Sequence, residues 1–148
     1  MILSKKSRYG LRTLVDLAVN GKKEHMALNY LAERGGISPQ YLEQVFAALR
    51  RADIVRSVKG PQGGYLLKRP AGEITVAEIV LALDGSFHVE EETESPDCSV
   101  HGITDTLQRL VVDRINEQLD EVLGGVTLED LENDYITHSA DDADMYYI

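Results

Sequence analysis

Three amphipathic stretches, a glycine-dense basic hairpin after them, and a later apolar stripe at helical spacing predict a mainly α fold. Together they describe a winged helix-turn-helix over residues 1–85, an acidic loop over 86–102, and a long helix with a C-terminal tail over 103–148. The bulk numbers agree. At 148 residues, 43% apolar and 27% charged, the chain can bury a core and has ordinary globular composition. Its longest apolar runs, such as Ile79 to Leu83, fall far short of the roughly 20 residues of a bilayer span. The opening MILSKKSRYG puts charge where a signal peptide carries its apolar stretch, so a cytoplasmic protein without a membrane partner is expected. One cysteine, Cys98, leaves no intramolecular disulfide and no four-cysteine metal site within one chain.

Ser4 caps the first helix, in which Tyr9, Leu11, Leu14, Val15, Leu17, Ala18 and Val19 recur at three and four, and Asn20-Gly21 ends it. Met26 to Arg34 predicts a second helix with Leu28, Leu31 and Ala32 inward, closed by Gly35-Gly36. Ser38-Pro39 supplies a capping hydroxyl and a proline at the first helical position, opening a third helix that runs to about Arg51. Its inward face is Leu42, Val45, Phe46 and Leu49, and its outward face is Gln40, Tyr41, Glu43, Gln44 and Arg51. The period then changes: Ile54 to Val58 and Tyr65 to Leu67 are β-prone, and Lys59 to Gly64 between them is a turn. Thr75 to Leu83 is a capped helix stopped by Asp84-Gly85, and Ser86 to Asp97 is an acidic loop with little to contribute to a core.

Charge divides the chain more sharply than hydropathy. Residues 1–70 hold 13 Lys and Arg against 5 Asp and Glu, a net of +8. Residues 71–148 hold 2 against 20, a net of −18. A basic half suited to a polyanion is thus joined to an acidic half that must face away from it. No nucleophile–base–orienter set is present, and the hairpin glycines lack the GK[ST] and following helix of a phosphate loop, so an enzyme is not expected.

In a winged helix-turn-helix the second helix of the pair lies in the major groove with its N-terminal residues against base edges. Gln40, Glu43 and Gln44 carry the amide and carboxylate groups that read adenine and cytosine edges, and Ser38 reaches a base or a phosphate. Arg8, Arg50, Arg51 and Arg56 are placed for phosphates, and Lys59 at the narrow hairpin tip for the minor groove. Double-stranded operator DNA is the partner these residues imply.

The start Ser4 to Leu11, the helix Ile37 to Gln44 and the hairpin Val58 to Leu67 resemble the signatures of the Rrf2 family of bacterial transcription regulators, over residues 1 to about 85. The matched segments add Ser4, Lys6, Tyr41 and Gly63 to the DNA-binding set. The resemblance implies a homodimer in which a long dimerisation helix from each chain crosses its partner. Ile103, Leu107, Leu110, Val111, Ile115, Leu119 and Val122 form the stripe for it, on a helix about 30 Å long at 1.5 Å per residue.

Iron–sulfur members of the family carry three cysteines before that helix. Cys98-Ser99-Val100-His101 resembles the last cysteine–histidine pair, but Phe87 to Asp97 holds no other cysteine, and thiolate-held clusters are Cys-rich. No cofactor is therefore expected, and an iron–sulfur or redox sensor using Cys98 and His101 is the alternative. The C-terminus, with Val126 to Leu131 and then an acidic tail ending Met145-Tyr146-Tyr147-Ile148, resembles the family's cysteine-metabolism repressors. Those act with cysteine synthase (O-acetylserine thiol-lyase). Tyr146, Tyr147 and Ile148 are the expected partner-binding residues, since the chain end also looks like that of serine acetyltransferase, whose terminal isoleucine docks in the thiol-lyase active site.

Overall fold

A computed structural model describes the backbone of residues 3–146 and the side chains of residues 3–140. Helix α1 (Lys5–Asn20) starts where Ser4 Oγ accepts the Ser7 N–H at 3.2 Å. Its inward face carries Leu14, Leu17 and Ala18. A Cβ on Gly10 would sit 2.3 Å from Leu83 Cδ1, so glycine lets a later helix lie flush on α1.

Helix α2 (Leu28–Gly35) begins two residues later than its apolar pattern suggests. Met26 is instead bridged to Tyr65, its N–H donating to Tyr65 O at 3.0 Å and its carbonyl accepting from Tyr65 N–H at 2.8 Å. Met26, two residues before the helix, is thus tied to the hairpin by an isolated bridge. Gly36, at φ 64, closes α2, with the Ile37 N–H donating back to Ala32 O at 3.0 Å. Helix α3 (Pro39–Arg51) follows directly, capped by Ser38 and carrying Leu42, Val45, Phe46 and Leu49 fully buried.

Strands β1 (Val55–Val58) and β2 (Gly64–Leu67) pair antiparallel, Val55 against Leu67 and Val58 against Gly64. After a single 3₁₀ turn (Ala71–Glu73), α4 (Val76–Asp84) is capped by Thr75, whose Oγ1 accepts the Glu78 N–H at 3.1 Å. The main core gathers α1, α2, α3 and α4 around Phe46, Leu42, Ile54, Ile74 and Ile79.

Residues 86–102 form no regular element, yet they are not loose from the fold. Phe87, 5% exposed, drops into a second core with Val76, Val80 and Leu123. Beyond it the loop runs back along the long helix: Asn116 receives the Val89 N–H at 2.8 Å, and Gln108 Oε1 receives that of Glu92 at 2.8 Å. That helix is continuous from residue 103 to residue 124, about 33 Å at 1.5 Å per residue. It comprises α5 (Ile103–Leu107), a π turn (Gln108–Val112) and α6 (Asp113–Gly124). The sequence pattern predicts the helix but not the π turn.

The expected tail is a helix. Thr127 and Asp130 cap each other reciprocally, Asp130 N–H to Thr127 Oγ1 at 3.1 Å and Thr127 N–H to Asp130 Oδ2 at 2.9 Å. From that cap α7 (Leu128–Tyr146) returns against α1, burying Leu128 completely. A bridge between Thr75 and Thr127 ties its start to α4. Tyr147 and Ile148, and the side chain of Tyr146, lie outside the described residues. No helix among the described residues is long and apolar enough to cross a membrane.

Candidate nucleic-acid interface

The start of α3 faces solvent with its polar row intact. Ser38, Gln40, Glu43 and Gln44 are all exposed, while every residue of the opposite face is buried. Ser38 Oγ accepts the Tyr41 N–H at 3.2 Å, so its hydroxyl is committed first to the cap. Tyr41 is half-buried, its ring set edge-on to Tyr9 at 5.8 Å between centroids. That ring positions α1 against α3.

Lys5 and Arg12 flank the Tyr9 ring at 5.5 and 5.7 Å, distances at which a cation is attracted to the aromatic face. Neither was expected as a site residue, although their spacing of four and three from Tyr9 places all three on one helix face. Lys5, Tyr9, Ser38 and Tyr41 line one concavity of about 260 Å³, which brings the starts of α1 and α3 together.

Of the thirteen cations in residues 1–70, four are paired internally: Lys22 with Glu132, Arg34 with Asp16, Lys68 with Asp53 and Arg69 with Glu78. The Arg34 guanidinium is held well above its ordinary pKa, first by its hydrogen bond to Asp16. Lys5, Lys6, Arg8, Arg12, Arg50, Arg51, Arg56 and Lys59 form no ion pair among the described residues. Arg8 does donate to Leu3 O at 2.7 Å. Ser4 is turned inward: besides capping α1 it bonds Asp84 through both its N–H, at 3.2 Å, and its hydroxyl. Burial works against the Asp84 charge, but those bonds outweigh it and hold the carboxyl below its ordinary range.

The hairpin is pinned at its base and exposed at its tip. Tyr65 packs against Phe46 as a tilted ring pair, 4.8 Å between centroids, while its backbone holds Met26. A Cβ on Gly64 would lie 2.3 Å from Met26 O, and one on Gly63 2.3 Å from Val58 O, so both positions require glycine. Lys59 and Gly60 stand exposed at the turn, Gly60 at φ 117.

On the long helix Ile103, Leu107, Leu110, Val111, Ile115 and Val122 are 43 to 59% exposed. Leu119 is half-buried against the second core. Leu110, Val111, Ile115, Leu119 and Val122 line a shallow groove of about 550 Å³.

The acidic loop holds Cys98, whose thiol donates to Val100 O at 2.9 Å, and His101, whose Nδ1 meets Glu94 Oε1 at 3.2 Å. No group of three or more His, Cys, Asp or Glu side chains among the described residues is arranged to hold a metal ion.

Residues 3–134 match the model of the Rrf2 family, described as an iron-dependent transcriptional regulator. The HTH-type regulator IscR of Xenorhabdus nematophila is 37% identical over 131 residues, covering 88% of this chain and 79% of that protein. Among solved structures, CymR, the global cysteine regulator of B. subtilis, superimposes with a TM-score of 0.73 at 32% identity, over 90% of this chain and 97% of that one. IscR of T. potens does so with a TM-score of 0.70 at 33% identity, over 91% and 88%. These relatives are transcriptional regulators and not enzymes. Iron held as a thiolate-bound cluster does not fit the donors of this chain, which offers one thiol, aimed at a backbone carbonyl, and one nearby imidazole, already engaged by a glutamate. With the winged helix-turn-helix and the family model in agreement, this chain belongs to the Rrf2 family of DNA-binding transcriptional regulators.

Proposed function

We propose that the chain is a dimeric, sequence-specific repressor of sulfur-uptake and cysteine-synthesis genes. The observation that carries the DNA-reading part is the exposed row Ser38, Gln40, Glu43 and Gln44 on a helix whose other face is wholly buried. In this reading those side chains meet base edges. Lys6, Arg8, Arg50, Arg51 and Arg56 meet phosphates, and Lys59, beside the tight Gly63, enters the minor groove. Ser4, with Asp84, sets the start of α1. Two copies join through the exposed stripe of α5 and α6, as a patch of this size and apolarity needs a cover.

The cysteine branch of the family is favoured by the donor-poor loop and by the likeness to CymR. The partner in this reading is cysteine synthase, received by Tyr146, Tyr147 and Ile148.

Three experiments test the proposal. Gln44→Ala or Glu43→Ala should cost about 1 to 3 kcal/mol of preference for the operator, whereas Arg51→Ala should weaken operator and random DNA alike. Equal losses on both DNAs for all three variants refute the helix assignment. Genome-wide mapping of bound DNA with and without sulfur limitation tests the regulon, and calorimetry of a chain lacking Ile148 against cysteine synthase tests the partner. Unchanged enzyme affinity after the deletion removes the docking role of the terminus.

A further inference from the structure

Between the end of α1, the base of the hairpin and α7 lies a concavity of about 600 Å³, within the size range of small-molecule sites. Its lining carries charges of both signs. Lys68 and Arg69 are already held by Asp53 and Glu78, each at 2.6 Å. Lys23 and Arg56 form no ion pair among the described residues. From α7 comes Glu132, only 4% exposed, an uncommon position for a carboxylate. Its Oε1 is 2.5 Å from Lys22 Nζ but makes no hydrogen bond of sound geometry, and the Lys22 side chain is 63% exposed. A buried carboxylate is therefore matched by a lysine whose side chain stands mostly in solvent. Such a counter-ion is exchangeable.

We propose that this cavity binds a small zwitterion of the α-amino-acid class. The ligand's ammonium takes the place of Lys22 on Glu132, and its carboxylate lies between Lys23 and Arg56. A purely anionic ligand would set its charge against Glu132 and Glu129, and a purely cationic one against Lys23 and Arg56. A zwitterion meets an opposite charge at each end, and Leu17 and Leu67 leave an apolar wall for a small side chain. Displaced to the rim, Lys22 keeps its hydration. The consequence for regulation rests on the reading of Arg56 as a phosphate contact: a carboxylate on Arg56 competes with DNA, so ligand and DNA weaken each other by the same factor.

The test is calorimetric titration of the full chain, without DNA, with glycine and the common L-amino acids, beside succinate, sulfate and ethylamine as probes lacking one of the two charges. At least one amino acid should bind about tenfold more tightly than any of those three probes. Glu132→Gln and Lys23→Ala should each weaken it by about tenfold or more, the second with an unchanged melting temperature because Lys23 is exposed. The proposal is overturned if no amino acid binds at about 10 mM, if sulfate or succinate binds as tightly as the best of them, or if Lys23→Ala leaves the affinity as it was. Because the titration contains no DNA, its failure leaves the operator reading standing, and the failure of that reading leaves this site standing.

Discussion

Gly64→Ala isolates the link between the hairpin base and the rest of the DNA-binding half. The added methyl group would lie 2.3 Å from Met26 O, 2.5 Å from Met26 C and 2.9 Å from Ala27 N, all backbone atoms that cannot swing aside. Reaching an ordinary contact of 3.4 Å or more requires the strand and the Met26 segment to part by about 1 Å. That breaks the bridge between Met26 and Tyr65, whose two bonds are 3.0 and 2.8 Å long. At about 0.5 to 1.5 kcal/mol net per hydrogen bond, the loss is about 1 to 3 kcal/mol. For a chain of this size the midpoint should fall by roughly 2 to 12 °C. The displaced tip should also take Lys59 off the DNA, lowering the slope of log affinity against log salt by about one. Lys59→Ala is the matched comparison, because it removes the same charge without touching the bridge. It should reproduce the change in salt slope with an unchanged midpoint. Thermal melts followed by circular dichroism, and salt titrations of operator binding by fluorescence anisotropy, give both numbers. If Gly64→Ala melts like the wild type, the Met26 bridge does not hold the hairpin; if it melts early but keeps the full salt slope, Lys59 does not touch DNA.

Three further outcomes follow from geometry described above. Ile115→Asp places a charge in the exposed stripe, and in a two-fold interface the change occurs twice; at about 1.5 to 3 kcal/mol per buried isoleucine, self-association should weaken by more than about 100-fold in sedimentation equilibrium. The Asp84 carboxyl is held below its ordinary value, so its stabilisation is fully present above the unfolded value near pH 3.9 and is lost as pH falls through the folded one. Asp84→Asn should accordingly lower stability at neutral pH and flatten the decline of the midpoint in acid; equal acid sensitivity in the two proteins excludes the Ser4–Asp84 contact as its source. Thr127→Ala removes the reciprocal cap of α7 and should cost about 0.5 to 2 kcal/mol in urea denaturation, with Thr127→Ser recovering most of it.

Local chemistry made most of the DNA-binding half legible. Ser38-Pro39, Gly35-Gly36 and Thr75 act within a few residues of themselves, and each stands at a helix boundary in the structure. The exposed row on α3 follows from the same arithmetic, since four buried residues at helical spacing leave their neighbours outside. Met26 departs from its helical pattern because a partner 39 residues away outweighs it. Helix α7 is illegible in the sequence for a different reason. Its acidic residues dilute the apolar period, although the Thr127 and Asp130 pair was a visible start signal. Ser4 and Lys22 show the limit for polar side chains: their types announce hydrogen bonds and charge, while only the fold says that their partners are Asp84 and Glu132.

The π turn in the long helix has a bearing on phase. Ile103, Leu107, Val111, Ile115 and Leu119 are spaced by four, and four residues of an α-helix turn about 400°, so each step rotates the stripe by about 40°. Over four steps the drift would reach about 160°, putting Ile103 and Leu119 on nearly opposite sides of the rod. One wider turn at Gln108–Val112 acts as a single inserted residue and takes back about 100° of it. The two ends of the stripe then differ by only about 60° and stay on one side of the rod. Forcing that turn into regular α-helix at unchanged length would leave every apolar side chain in place along the sequence and yet twist the lower half of the seam away from the upper, whereas deleting one residue from it would straighten the helix and keep the two halves in phase.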